Sequence, residues 1–192
     1  ENEFSFIQGL DLKNRIITEF KAIRFAYKLY EGIEATNENL LFEVRNQILA
    51  YASIYEAVIE NVLNSYYSDT VEFDSLMHHI IPMKISIPQS KQDILQNVLS
   101  HDGKVIVPFY YTRKRKEKPQ VRFDEKCRTA EGLGLIHKFI NDDGVEIDLP
   151  SEIIEIYSYR NGIHIIAEQR KGINYELDLS KKAYRRMRPG VS

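Results

Sequence analysis

The stretch NENLLFEVRNQILAYASIYEAVIENVL, residues 37–63, places Leu41, Val44, Ile48, Ala52, Tyr55, Ile59 and Leu63 at spacings of three and four. Side chains so spaced fall on one side of an α-helix, so the stretch predicts a long helix with a single apolar stripe. Thr36 or Asn37 supplies the N-cap, because a short side-chain oxygen can satisfy the first free backbone N–H groups. The small residues Ala50, Ala52, Ser53 and Ala57 leave room for a neighbouring helix to approach closely.

Working outward toward the N-terminus, residues 11–33 repeat the pattern with Leu12, Ile16, Ile17, Phe20, Ile23, Phe25, Tyr27 and Leu29, and Gly32 ends it. The connection to the next helix is short, which predicts an antiparallel helical hairpin.

Toward the C-terminus the pattern becomes mixed. KISIP, residues 84–88, alternates like a strand, and SKQDILQNVLS, residues 90–100, reads as a helix capped by Ser90. Residues 104–123, KVIVPFYYTRKRKEKPQVRF, are β-branched and aromatic around a basic run, which predicts a hairpin with that run at its tip. Pro108 confines part of it to a sheet edge. Residues 123–140 return to a helix capped by Asp124, its end shaped by Gly132 and Gly134. Residues 149–187 form a last helical region, started by Pro150 and Ser151, broken near Gly172 and stopped by Pro189 and Gly190. The expected fold is therefore mainly α. It is one domain over residues 1–192, a helical bundle with a small mixed α/β, hairpin-containing insertion at 83–122.

Composition bounds the function. A 43% hydrophobic and 28% charged chain of 192 residues is an ordinary globular composition. A net charge of −2 gives no global attraction to nucleic acid, so any such affinity must be local. A single cysteine, Cys127, permits no internal disulfide and suits a reducing compartment. No apolar run is long enough to span a bilayer, and no secretory signal pattern appears. The expected setting is cytoplasmic, with no membrane partner. His78 and His79 in MHHII lack metal-ligand spacing, and neither a metal nor another cofactor is expected.

The polar residues that stand out lie in YSYRNGIHII, residues 157–166. Arg160 and His164 share a helix face if the helix continues, while Ile153, Ile156, Ile163 and Ile166 take another side. YRNGIHI resembles the arginine–polar–histidine motif of the HEPN superfamily, helical ribonucleases and RNA-binding modules. The preceding FDEKCRTAEGLGLI and the early AYASIYEAVIENVL are similar to helices that flank this motif in bacterial HEPN families. The resemblance covers roughly the first and last seventy residues and leaves the middle insertion uncovered. Its Arg-to-His spacing is shorter than the family's commoner form.

The resemblance implies metal-independent endoribonuclease chemistry, in which the ribose 2′-OH attacks the adjacent phosphate and leaves a cyclic phosphate. It implies His164 as the proton-transfer group, Arg160 as the phosphate holder and Asn161 as an orienting residue, with Tyr157 and Glu168 in support. It further implies a twofold homodimer that builds a composite cleft, RNA as partner, an antitoxin or effector as regulator, and a role in toxin–antitoxin pairs or phage defence. The alternative is a non-catalytic module that binds RNA or protein, with the Arg–His face serving the dimer contact.

Two basic stretches supply secondary RNA-contact candidates. Arg113, Lys114, Arg115 and Lys116 sit beside Tyr110 and Tyr111, which could stack on bases. Arg170, Lys171, Arg185 and Arg186 lie in the basic tail. A solvated, edge-protecting turn and a cation-favouring helix end explain the same charges without RNA.

Overall fold

The computed structural model describes residues 4–99, 102–162 and 176–187. It is mainly α-helical, with two small two-stranded sheets. In chain order the elements are α1 (Leu10–Gly32), α2 (Asn37–Tyr66), α3 (Val71–Leu76), β1 (His78–Lys84), α4 (Gln89–Val98) and β2 (Phe109–Arg115). There follow α5 (Phe123–Gly132), β3 (Lys138–Ile140), β4 (Glu146–Asp148), α6 (Leu149–Arg160) and α7 (Leu177–Arg186).

The long helix α2 is the axis of the bundle. Its stripe is buried from Val44 through Ile48, Ala52, Tyr55 and Ile59 to Leu63, and α1, α5, α6 and α7 all pack against it. Helix α1 contributes Ile16, Phe20 and Ile23, whereas Phe25 and Leu29 face outward. Helix α6 contributes Ile153 and Ile156, α5 contributes Cys127 and Ala130, and α7 contributes Ala183. Of the small residues on α2, Ala52 is fully buried, but Ser53 is exposed and returns its hydroxyl to Leu49 O. Tyr55 pins α7 to α2 by donating its hydroxyl to Ala183 O at 2.6 Å.

The caps follow local chemistry. Thr70 Oγ1 accepts from Phe73 N at the start of α3. Asp148 Oδ1 accepts from Ser151 N at the start of α6, with Pro150 in the first turn, where a missing N–H costs nothing. Gly134, at φ 73°, ends α5, and Leu135 N reaches back to Ala130 O at 2.9 Å. Asp124 is not the cap of α5: Arg122 holds that position, and its N–H is met by Glu125 Oε2 at 3.0 Å. Likewise Pro88, not Ser90, precedes α4.

The insertion departs from expectation in its pairing. KISIP is not the strand. The strand β1 lies mostly before it, and it pairs antiparallel with β2, from His78 opposite Arg115 to Lys84 opposite Phe109. Residues 104–123 therefore do not close on themselves as a hairpin, and α4 lies between the two paired strands. A two-stranded sheet has two edges, which is why Pro82 is tolerated inside β1. Residues 138–140 are likewise strand rather than helix. The β3–β4 turn is built on Asn141, whose Oδ1 accepts from Asp143 N and Val145 N, with Gly144 at φ 74°.

Candidate functional site

Helix α6 closes at Arg160, and Asn161 and Gly162 form a turn, with Gly162 N bonded to Tyr159 O. The expected uninterrupted helix through Arg160 and onward is thus not found at Asn161. His164, Glu168, Arg170 and Lys171 lie outside the described residues, as do Ile163, Ile166 and Gly172.

The end of α6 brings Tyr157 and Arg160 against Glu56 of α2. Arg160 Nη1 donates to Glu56 Oε2 at 2.5 Å and to the Tyr157 hydroxyl oxygen at 3.1 Å. Tyr157 in turn donates to Glu56 Oε1 at 3.1 Å. The three side chains close a ring of contacts, with Arg160 Cζ 5.2 Å from the Tyr157 ring centre. Phe123 stacks on the Tyr157 ring at 4.0 Å and 25°. Burial, then the charge of Glu56 and its hydrogen bond, raise the Tyr157 phenol above its usual value. Tyr157 therefore stays protonated near neutral pH and acts as a donor, not a base.

Arg160 and Glu56 are each about one-third exposed, so this is a surface-reachable cluster and not a sealed core pair. Both hydrogen bonds fall on Nη1. Among the described residues, Nε and Nη2 of Arg160 take no partner. A guanidinium held from one side by a carboxylate can still offer its other edge to an oxyanion. Asn161 is exposed beside it.

Tyr157, Arg160 and Asn161 lie together at the end of α6, and Glu56 of α2 joins Tyr157 and Arg160 there, a partner that local spacing does not indicate. The available signal was an acid inside the apolar run IYEAVI of α2. Glu60, one turn on, does the same for α5 by accepting Lys126 Nζ at 2.6 Å.

The basic run is not at a hairpin tip. Arg113, Lys114 and Arg115 are the last residues of β2, at the base of the insertion beside the bundle. Arg113 is ion-paired with Asp74, and Lys116 Nζ lies 2.7 Å from Glu125 Oε1. Lys114 and Arg115 are exposed. Alternation along β2 sends neighbouring side chains to opposite faces, so the run does not make one continuous basic surface. The tail divides too. Arg186 is ion-paired with Glu152 of α6, while Arg185 is exposed and lines a cleft against α1.

Among the described residues no three His, Cys, Asp or Glu side chains gather as a metal-ligand set, and no helix is long and apolar enough to cross a membrane. His78 is occupied locally, its Nδ1 2.7 Å from Asp74 O. The Cys127 thiol is fully buried, and burial pushes it up to about 12, so it is not a nucleophile near neutral pH. Compared with known proteins, the chain matches no family model, no curated protein and no solved structure.

Proposed function

We propose that the chain is a HEPN-type, metal-independent endoribonuclease acting as a homodimer, with the α6 end as the phosphate-holding half of its site. The observation that carries the reading is Arg160, whose Nη1 is held by Glu56 and Tyr157 while its Nε and Nη2 take no partner among the described residues. Its position immediately before Asn161 and four residues before His164 is the resemblance already noted.

In this reading His164 moves the proton of the ribose 2′-OH. The 2′ oxygen attacks the neighbouring phosphorus, the bond to the 5′ oxygen breaks, and the departing 5′ oxygen takes a proton. Arg160 carries the growing negative charge on the phosphate. Glu56 and Tyr157 fix its guanidinium plane, so the fork is oriented before the substrate arrives. Two such sites across a twofold axis would supply the second proton-transfer group. DNA lacks the attacking 2′-OH and is not cut. An antitoxin or effector partner, and a role in toxin–antitoxin pairs or phage defence, belong to the same proposal.

The test is cleavage of single-stranded RNA by the wild-type chain in the presence of a chelator. The expected result is a cyclic phosphate product, absent when each ribose carries a 2′-O-methyl group. His164→Ala should lower the rate by a hundredfold or more, on the order of the share usually supplied by general acid–base catalysis, with the dimer intact by light scattering. Cleavage by His164→Ala at the wild-type rate would refute the assignment.

The Arg160–Glu56 pair also favours a second reading, in which Arg160 is only a clamp between α6 and α2 and the module binds RNA or protein without cutting. Glu56→Gln separates the two. A clamp predicts lower thermal stability and no other change. The nuclease predicts a changed dependence of rate on RNA concentration, because a freed guanidinium holds phosphate differently.

A further inference from the structure

A second site lies where α1, α2 and α7 meet. It is a cleft of about 350 Å³ that takes no residue from α6. Its floor is the buried Gln47, Tyr51 and Ser180. Its walls are the half-buried Tyr27 and Tyr184. Four cations rim it, Arg24 and Lys28 from α1 and Lys181 and Arg185 from α7. No acidic residue is among the described residues that line it.

Both cation pairs stand four residues apart on their helices, and like charges so placed repel. Glu31, Glu34 and Glu43 line the adjoining cleft, which shares Tyr27, Gln47, Ser180 and Lys181 with this one, but three of the cations pair directly with none of them. Among the described residues Arg24, Lys28 and Arg185 have no carboxylate within 4 Å, and Lys181 has Asp178 at 3.7 Å. The contrast with the neighbouring face of α7 is direct: Lys182 and Arg186 are both ion-paired with acids of α6. Among the described residues three of the four thus have no acid at pairing distance, which leaves a positive rim suited to an anion from outside.

The aromatic walls say what kind of anion. Tyr184 is fixed in place, stacked on Phe20 at 6.1 Å and 17°, with Arg24 Cζ 5.9 Å from its ring centre. Tyr27 has no ring partner among the described residues and faces the same cleft. A flat ring can lie on Tyr27 while a charged group meets the rim. Gln47 spends its amide nitrogen on Glu43 at 2.8 Å, which leaves its carbonyl oxygen as an acceptor at the floor. The cleft's volume is at the small end of the range for ligand sites, about 300–1,000 Å³.

We propose that this cleft binds a nucleotide unit, its phosphates on Arg24, Lys28, Lys181 and Arg185 and its base on Tyr27. The unit belongs either to a free nucleoside polyphosphate or to a single RNA strand. The proposal does not rest on the ribonuclease reading, since its measurement is binding and its residues lie outside the α6 end.

The experiment is calorimetric titration of the whole chain with ATP, with inorganic triphosphate, and with a short single-stranded RNA carrying 2′-O-methyl groups so that no cleavage intervenes. The expected result is saturable ATP binding, one per chain, weakened by at least about tenfold in Arg24→Glu and in Arg185→Glu. Arg24 and Arg185 are exposed, so both variants should melt as the wild type does, and Lys28→Gln is the milder variant if one does not. Lys91→Glu, on the exposed α4 of the insertion, should leave binding unchanged. RNA binding with the same variant dependence but no ATP binding assigns the cleft to a strand. Triphosphate binding as tight as ATP, with Tyr27→Ala without effect, overturns the base-stacking assignment. No binding of either nucleotide form, or variants that bind as the wild type does, overturns the proposal.

Discussion

The helical bundle and the β1–α4–β2 insertion are built from similar amounts of apolar residue per length, yet they handle water in opposite ways. In the bundle, Ile48, Ala52, Ile156, Cys127 and Ala183 are fully buried. In the insertion, α4 buries no residue, and Ile80, Ile94, Val98 and Tyr111 all remain more than half exposed. A long helix can present one stripe to four neighbours at once, so each apolar side chain gains burial from several sides. A two-stranded ribbon with one short helix has too few layers to cover its own faces. Stability therefore resides in α1, α2, α5, α6 and α7, and the insertion is carried by the bundle at its base.

The largest effect expected from this contrast comes at the centre of α2. Ile48→Ala should lower unfolding free energy by about 2–5 kcal/mol, because the site is closed on all sides and leaves a cavity. The matching change in the insertion, Ile94→Ala, should cost less than about 0.5 kcal/mol. Urea denaturation of both variants checks the pair. Equal losses at the two positions would mean that the insertion is packed against something and that the contrast is wrong.

A middle-sized effect tests whether the two regions are separable. His78 and Arg115 are opposite each other in the sheet, so the insertion leaves and re-enters the bundle at one point. Replacing residues 80–113 with a short Gly/Ser turn should keep a single cooperative thermal transition with a midpoint close to the wild type's, since the ion pair lost with it, Arg113 with Asp74, is exposed and screened by solvent. The buried Cys127 thiol is a convenient reporter. It should remain unreactive toward a thiol reagent at pH 8 in the shortened chain, as burial holds it near 12 in the full one. Rapid reaction would show that the insertion helps to close the core.

The same contrast explains what the sequence revealed. Helices α1 and α2 were legible because a period of 3.6 sustained over many turns has no competing interpretation. The end of α1 at Gly32 and the stripe from Val44 to Leu63 both match. The strands are not legible in the sequence because their pairing is non-local. HHIIPMK carries no alternation, and its partner lies beyond α4. The β3–β4 turn had a readable signal in NDDG, residues 141–144, but the apolar residues before it blended into the preceding helix. At the candidate site, Tyr157 and Arg160 are close in sequence and could be paired by spacing. Glu56 lies more than one hundred residues away, and only the packing of α6 on α2 brings it in. The cleft at α1 and α7 is hidden in the sequence for the same reason: Arg24 with Lys28 and Lys181 with Arg185 look like ordinary solvated charges until the fold brings them to one cleft.

The smallest effect sharpens the bundle side, where surface ion pairs stitch α7 to α6. Lys182 Nζ lies 2.7 Å from Glu155 Oε2 and 3.8 Å from Glu152 Oε1. The hydrogen bond from Lys182, opposed by burial and helped by the Tyr159 hydroxyl, holds the Glu155 carboxyl below its ordinary value. A carboxyl whose folded pKa is depressed adds stability above its unfolded pKa, and that stability is lost as pH falls through the folded value. Lys182→Gln should therefore destabilise at pH 7 by less than about 1 kcal/mol, since the pair is partly exposed and screened. The difference from wild type should close as the pH drops below the ordinary glutamate value of about 4.3. Urea midpoints of the two chains measured across that range give the result. A gap that persists at low pH would mean that Lys182 stabilises α7 through its aliphatic stem and not through its charge.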